Sequence, residues 1–303
     1  MGIQVVLQQM LIIAVMVTIG ILLGKKGVVD SISSKSISTI VVDVCNPALM
    51  LTSVIGDDKK IPHDELLTGG VIAVIFYAVL VVMGFLLPLA LKAEKGERRF
   101  YNMMCVYTNV GFIGIPVAHA ILPEEAMFVV LVCNVLYSLL FYTHGVTILS
   151  GGKDKVSLKK AMSPGTIAAL ISIVILWFDF DIRGPVADLV SYVGGATVFL
   201  SMTLLGVSIA RADIKKGLKN VRIWGYVTVR MLMLPAIMIV VFHLLNVDPI
   251  LTAGMCLMAA MPVGNLPLIQ AEKTGEDTTT LSHAIAISTV VSMVSIPLVM
   301  IAL

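Results

Sequence analysis

The chain has 303 residues, of which 58% are hydrophobic and 13% charged, with a formal net charge of +2. A soluble domain carries roughly 25% charged residues, so a water-soluble globule is excluded; so small a net charge gives no reason to expect a nucleic-acid partner. The apolar residues fall in runs of about twenty, long enough for a helix to cross ~30 Å of hydrocarbon.

In chain order, these runs predict membrane-spanning helices over approximately 4–24, 37–55, 66–91, 100–121, 126–149, 164–180, 185–210, 223–245, 249–271 and 279–302. The first has no cation before it, no A-x-A site after it, and Lys25 and Lys26 directly behind it. It is therefore expected to be retained rather than cleaved as a signal. The seventh is long enough to begin as an interfacial stretch near Pro185, with its core after Gly195.

The second run contains Asp43-Val-Cys-Asn46-Pro47. An acid so deep in an apolar run is costly to ionise without a partner, which makes Asp43 a candidate for proton exchange or cation binding. A neutral acid hydrogen-bonded to a neighbouring helix is the alternative, and the residues leave both open.

The fourth run reads Asn109-Val-Gly111-Phe-Ile-Gly114-Ile-Pro116, and the ninth reads Pro262-Val-Gly264-Asn265-Leu-Pro267. Proline lacks an N–H and strains the helix against the carbonyl four residues earlier, which frees the carbonyls of Phe112, Val263 and Met258. Nearby glycines ease unwinding. In lipid such segments survive only where they are buried or line a cavity. The second half of each helix is expected to begin near its proline, so two half-helix N-termini would face the midplane from opposite sides. Each carries partial positive charge and free N–H groups suited to a carboxylate, and Asn109 and Asn265 can add neutral donors. A packing kink is the competing reading for either helix alone; the matched pair favours a binding site.

The eighth run holds Arg230, eight residues beyond Arg222. It is a candidate counter-ion, while a long side chain so placed can also snorkel to the interface or pair within the fold. His119 lies one turn past Pro116 and is a weaker candidate for titration near a pathway. His144, His243 and His283 carry no signal of their own. Cys45, Cys105, Cys133 and Cys256 show no C-x-x-C spacing, so no metal site or cofactor is expected, with H⁺ or Na⁺ the coupling ions to consider.

Loops following the odd-numbered helices hold seventeen of the Lys and Arg residues, and the opposite loops hold Lys59, Lys60 and Arg183. Positive loops stay cytoplasmic, which places both termini on the outer face of an inner membrane. Runs four and nine align without gaps at an offset of 151 residues, matching Met104-Cys105 to Met255-Cys256, Pro116 to Pro267 and Ala120 to Ala271. An offset of half the chain implies five helices per repeat, over 1–150 and 151–303, with the second copy inverted. In the run matching helix two, Leu200-Ser201-Met202-Thr203 keeps small polar residues without the acid or the proline.

The Asn46-Pro47 pair, the Asn109 to Pro116 stretch, and the tail from Met261-Pro262 through Ile287-Ser288-Thr289 to Pro297 together resemble the auxin efflux carrier family, a group that includes malate and malonate permeases. That resemblance implies an all-α polytopic membrane protein of ten transmembrane helices in two inverted five-helix repeats, with broken helices four and nine crossing. It also implies a scaffold of helices one, two, six and seven beside a moving domain of the other six. The long hydrophilic loop of the large plant members is missing here, and the Gly264-Asn265-Leu-Pro267 stretch differs from theirs. A bacterial carboxylate or dicarboxylate therefore fits better than auxin. The expected partners are a small organic anion and the bilayer, with a homodimer possible.

A Na⁺/H⁺ antiporter would want acids at the crossover, where this sequence offers asparagines. A sodium-coupled organic-anion symporter and a non-transporting sensor remain alternatives. An intramembrane enzyme is disfavoured, since neither G-x-S-x-G nor H-E-x-x-H occurs.

Overall fold

The computed structural model describes residues 3–52, 54–55, 62–151, 162–211, 214–273 and 279–303. These residues form helices joined by short connections. The helices are α1 (Ile3–Lys25), α2 (31–52), α3 (His63–Ala90), α4 (Arg98–Val106), α5 (110–121), α6 (Glu124–Leu149), α7 (Pro164–Phe178), α8 (Pro185–Arg211), α9 (Val221–Leu244), α10 (Pro249–Ala260), α11 (Leu266–Lys273) and α12 (Thr279–Ala302). Among the described residues, five of them (α3, α6, α8, α9 and α12) are long and apolar enough to cross a membrane, and shorter apolar helices lie at Leu11–Lys25, α7 and α10. On α3, Leu67, Val71, Val74, Ile75, Val82, Phe85 and Leu89 all stand exposed. Such a face is untenable in water and natural against lipid, as in a multi-pass membrane protein.

Two seams of glycine let backbones touch. A methyl group added at Gly20 of α1 would lie 2.2 Å from the Thr203 carbonyl oxygen, and one at Gly206 of α8 would lie 2.1 Å from the Val17 carbonyl oxygen. Gly194 of α8 likewise sits against the Leu49 backbone of α2. Helices α1, α2, α7 and α8 thus pack as one group, with Ser172 of α7 donating to the Met50 carbonyl at 3.3 Å. At one end Arg211 Nη2 donates to the Val29 carbonyl at 2.7 Å. Asp30 caps α2 by accepting from the Ser33 backbone N–H at 2.8 Å, and that bond holds its carboxyl below the ordinary value.

Four stretches are wound as π turns: 41–45 in α2, 110–114 in α5, 141–145 in α6 and 228–233 in α9. Three of them end two residues before a proline, at Pro47, Pro116 and Pro235. The carbonyl that each ring would strike, four residues earlier, lies inside the π turn, so the wider turn relieves the clash without breaking the helix. The fourth has no proline. There the Leu140 carbonyl accepts side-chain donors, Tyr107 Oη at 2.9 Å and Thr143 Oγ1 at 3.2 Å.

The chain breaks elsewhere. Residues 107–109 and 261–265 leave the helix and run antiparallel to each other, paired at Thr108 and Val263. The second half of the fourth run therefore begins at Val110, six residues before Pro116, and not near its proline as the sequence suggested; in the ninth run α11 begins at Leu266, beside Pro267. The bridged residues 108 and 263 stand 155 apart in the chain.

Candidate functional site: a crossing of two broken helices

Helices α4 and α10 end at the crossing, and α5 and α11 start there. The unwound backbones satisfy each other: Asn109 N–H donates to the Pro262 carbonyl at 2.7 Å, and Gly264 N–H donates to the Tyr107 carbonyl at 3.0 Å. The Val263 N–H is taken by Ser288 Oγ of α12 at 3.1 Å. Gly264 is needed for the approach, since an added methyl would meet the Thr108 and Tyr107 carbonyl oxygens, each at 2.9 Å. Pro262 and Pro267 are buried here, as are Pro116 and Gly114 in α5.

Asn109 and Asn265 each stand directly before a second half-helix, where short polar side chains cap free N–H groups. Asn265 Oδ1 is buried with no partner, and an amide flip would put a donor at the same place. Gly111, in the first turn of α5, offers its carbonyl to Asn46 Nδ2 of α2 at 3.3 Å. Asn46 is 5% exposed, and its Oδ1 has no partner. A methyl at Gly111 would sit 3.7 Å from Asn46 Nδ2 and 4.0 Å from Asn134 Oδ1, in ordinary contact with two buried amides.

Arg230 does not snorkel. It is 0% exposed, in the π turn of α9, with its guanidinium 5.8 Å from the centre of the Phe76 ring. Its Nε donates to the Cys105 carbonyl at 2.9 Å, and Nη1 donates to the Ala259 carbonyl. Those carbonyls end α4 and α10, whose last turns have no intrahelical donors. Tyr226, one turn earlier on α9, adds a hydroxyl to the Met104 carbonyl at 2.7 Å. Arg230 Nη2 is buried without a partner, and among the described residues no carboxylate lies within ion-pair distance of this arginine.

Asp43 and His119 lie outside this cluster. Asp43 is exposed on the π turn of α2, close enough to Tyr142 of α6 to act on it electrostatically. His119 is exposed near the end of α5. Sequence reading passed over Asn134, Tyr226 and His144. His144 Nδ1 stands 2.9 Å from Tyr107 Oη, behind the crossing. A pair separated by 37 residues with no common motif leaves no local signal, although the buried polar type of Asn134 in an apolar run could have flagged it.

Broken helices that cross inside an apolar bundle, their ends capped by buried polar groups, mark the chain as a membrane transport protein. The family model described as "Membrane transport protein" matches residues 5–157 and 153–300, and the chain belongs to that auxin efflux carrier-like family. It is 24% identical to an uncharacterized transporter of Methanocaldococcus jannaschii, over 95% of this chain and 96% of the relative. A second uncharacterized transporter, from Methanothermobacter thermautotrophicus, is also 24% identical, over 96% of each chain.

Proposed function

We propose that this protein is a secondary transporter that carries a small organic anion, a carboxylate or a dicarboxylate such as malate or malonate, by alternating access, with the solute at the crossing. The observation that carries this reading is the pair of asparagines, Asn109 and Asn265, each set directly before a half-helix that starts at the antiparallel crossing. Two helix N-termini and two amides offer a carboxylate hydrogen bonds from groups that cost little to bury when the site is empty. Gly264 lets the two unwound backbones approach, and at Gly111 an added methyl would meet nothing closer than 3.7 Å.

In this reading the chain spans the plasma (inner) membrane ten times, with both termini outside and the halves 1–150 and 151–303 inverted. The glycine-seamed group α1, α2, α7 and α8 is the scaffold, and the helices of the crossing move against it. Asn46, reaching from α2 to the Gly111 carbonyl, lies on that moving boundary. Asp43, an exposed acid on the π turn of α2, is the residue assigned to proton or sodium coupling. The test is counterflow of labelled malate and malonate in proteoliposomes, with proton and sodium gradients imposed separately. Exchange of either anion supports the reading, whereas binding without flux would make the protein a sensor.

A further inference from the structure

Four helix ends meet at the crossing, and their charges can be added. Each helix carries roughly +0.5 of a charge at its N-terminus and −0.5 at its C-terminus. The C-terminal ends of α4 and α10 therefore contribute about −1, and the N-terminal ends of α5 and α11 about +1. Left alone, these cancel, and the crossing would prefer neither an anion nor a cation. Arg230 breaks the balance. Its guanidinium is always ionised, fully buried, and bonded to the carbonyls that end both first halves, Cys105 and Ala259. The single charge is placed on the two negative ends and is shared between them.

We propose that Arg230 sets the charge preference of the crossing without touching the solute. By neutralising the C-terminal ends of α4 and α10, it leaves the N-terminal ends of α5 and α11 uncompensated, so the crossing carries about one net positive charge and takes one carboxylate. Arg230 is in this sense a positioning residue that acts through the backbone. Two features separate the role from ordinary packing. No carboxylate among the described residues pairs with Arg230, although a buried cation normally requires a counter-charge. The Met104 carbonyl beside it is satisfied by the neutral Tyr226 hydroxyl, so capping alone does not need a charge. For a dicarboxylate, one carboxylate would occupy the crossing and the other would need a partner outside it.

This inference rests on the solute-at-crossing reading, and the experiment separates their failures. A cysteine reporter is placed at Gly111, where an added Cβ meets nothing closer than 3.7 Å. It is treated with an anionic (2-sulfonatoethyl) and a cationic (2-trimethylammonioethyl) methanethiosulfonate, and the protein without the reporter corrects for the four buried native thiols. The arginine background should react faster with the anionic reagent. In Arg230→Gln, which is neutral yet keeps an N–H donor, the anionic-to-cationic rate ratio should fall about tenfold or more with loss of the unit charge. Arg230→Lys, which retains the charge but cannot fork between two carbonyls, should keep the ratio while melting lower. Equal rates in the arginine background, an unchanged ratio in a monodisperse Arg230→Gln, or a Lys variant that matches Gln would each overturn the proposal. Should the ratios behave as expected while malate and malonate fail to protect the thiol, the charge assignment stands and the solute reading falls. A thiol that neither reagent reaches overturns both.

Discussion

Replacing Gly264 with alanine tests the crossing at its tightest point. The added methyl would stand 2.9 Å from two backbone oxygens, those of Tyr107 and Thr108, and 3.1 Å from the Thr108 carbonyl carbon. Backbone atoms cannot rotate aside as a flexible side-chain tip can, so the two extended segments must part. Parting them lengthens the Gly264-to-Tyr107 bond of 3.0 Å and the Asn109-to-Pro262 bond of 2.7 Å. Each buried amide or carbonyl left unsatisfied costs ~1–3 kcal/mol, and overpacking alone costs a similar amount. A loss of about 3 kcal/mol is a moderate figure, and at ~2–4 °C per kcal/mol it lowers the melting temperature by roughly 6–12 °C. The assay is thermal unfolding of detergent-purified protein followed by tryptophan fluorescence. Gly111→Ala is the internal control, because its methyl meets nothing closer than 3.7 Å and alanine favours the helix. It should melt at or above wild type. Should Gly264→Ala melt alongside Gly111→Ala, the two segments do not meet as described and the site must be rebuilt.

Other outcomes follow from the same geometry. Asn109→Ala and Asn265→Ala should each weaken binding of malate or malonate to folded protein by about one to two decades, the cost of one hydrogen bond to a charged group at ~1.5–3 kcal/mol. The double variant should lose less than the sum, because both amides address one ligand group; wild-type affinity in both singles would move the site elsewhere. Asp43→Asn should abolish gradient-driven accumulation and spare exchange, and unchanged accumulation would return Asp43 to a structural role. In intact cells an impermeant reagent should label Asp181→Cys, between α7 and α8, and reach Gly96→Cys, in the turn after α3, only once the membrane is permeabilised. Labelling of both in intact cells would overturn the topology.

The sequence already contained the solvent class, the pair of broken helices and the two asparagines, because these depend on local composition: long apolar runs, clustered glycine and proline, and amides within them. What it could not carry was the geometry of the break. Proline was read as the breaker, yet Pro47, Pro116 and Pro235 each follow a π turn in a helix that continues, while Pro88 and Pro297 sit inside ordinary helices. The chain unwinds at 107–109 because the Val263 strand pairs with it, a contact with a residue half the chain away. Arg230 was ambiguous for the same reason. Its distance from Arg222 measures depth along one helix, whereas its role depends on Cys105 and Ala259 in two others. His144 and Tyr226 became visible only through such distant partners, Tyr107 and Met104.

The central claim, that the crossing holds the transported anion, is tested most directly by counterflow of labelled malate and malonate in proteoliposomes containing wild-type or Asn265→Ala protein. The account predicts exchange in the wild type that saturates, and exchange in the monodisperse variant whose half-saturating concentration rises by about one to two decades. Wild-type exchange that persists unchanged in Asn265→Ala, or binding in the wild type with no exchange under any imposed gradient, would contradict it.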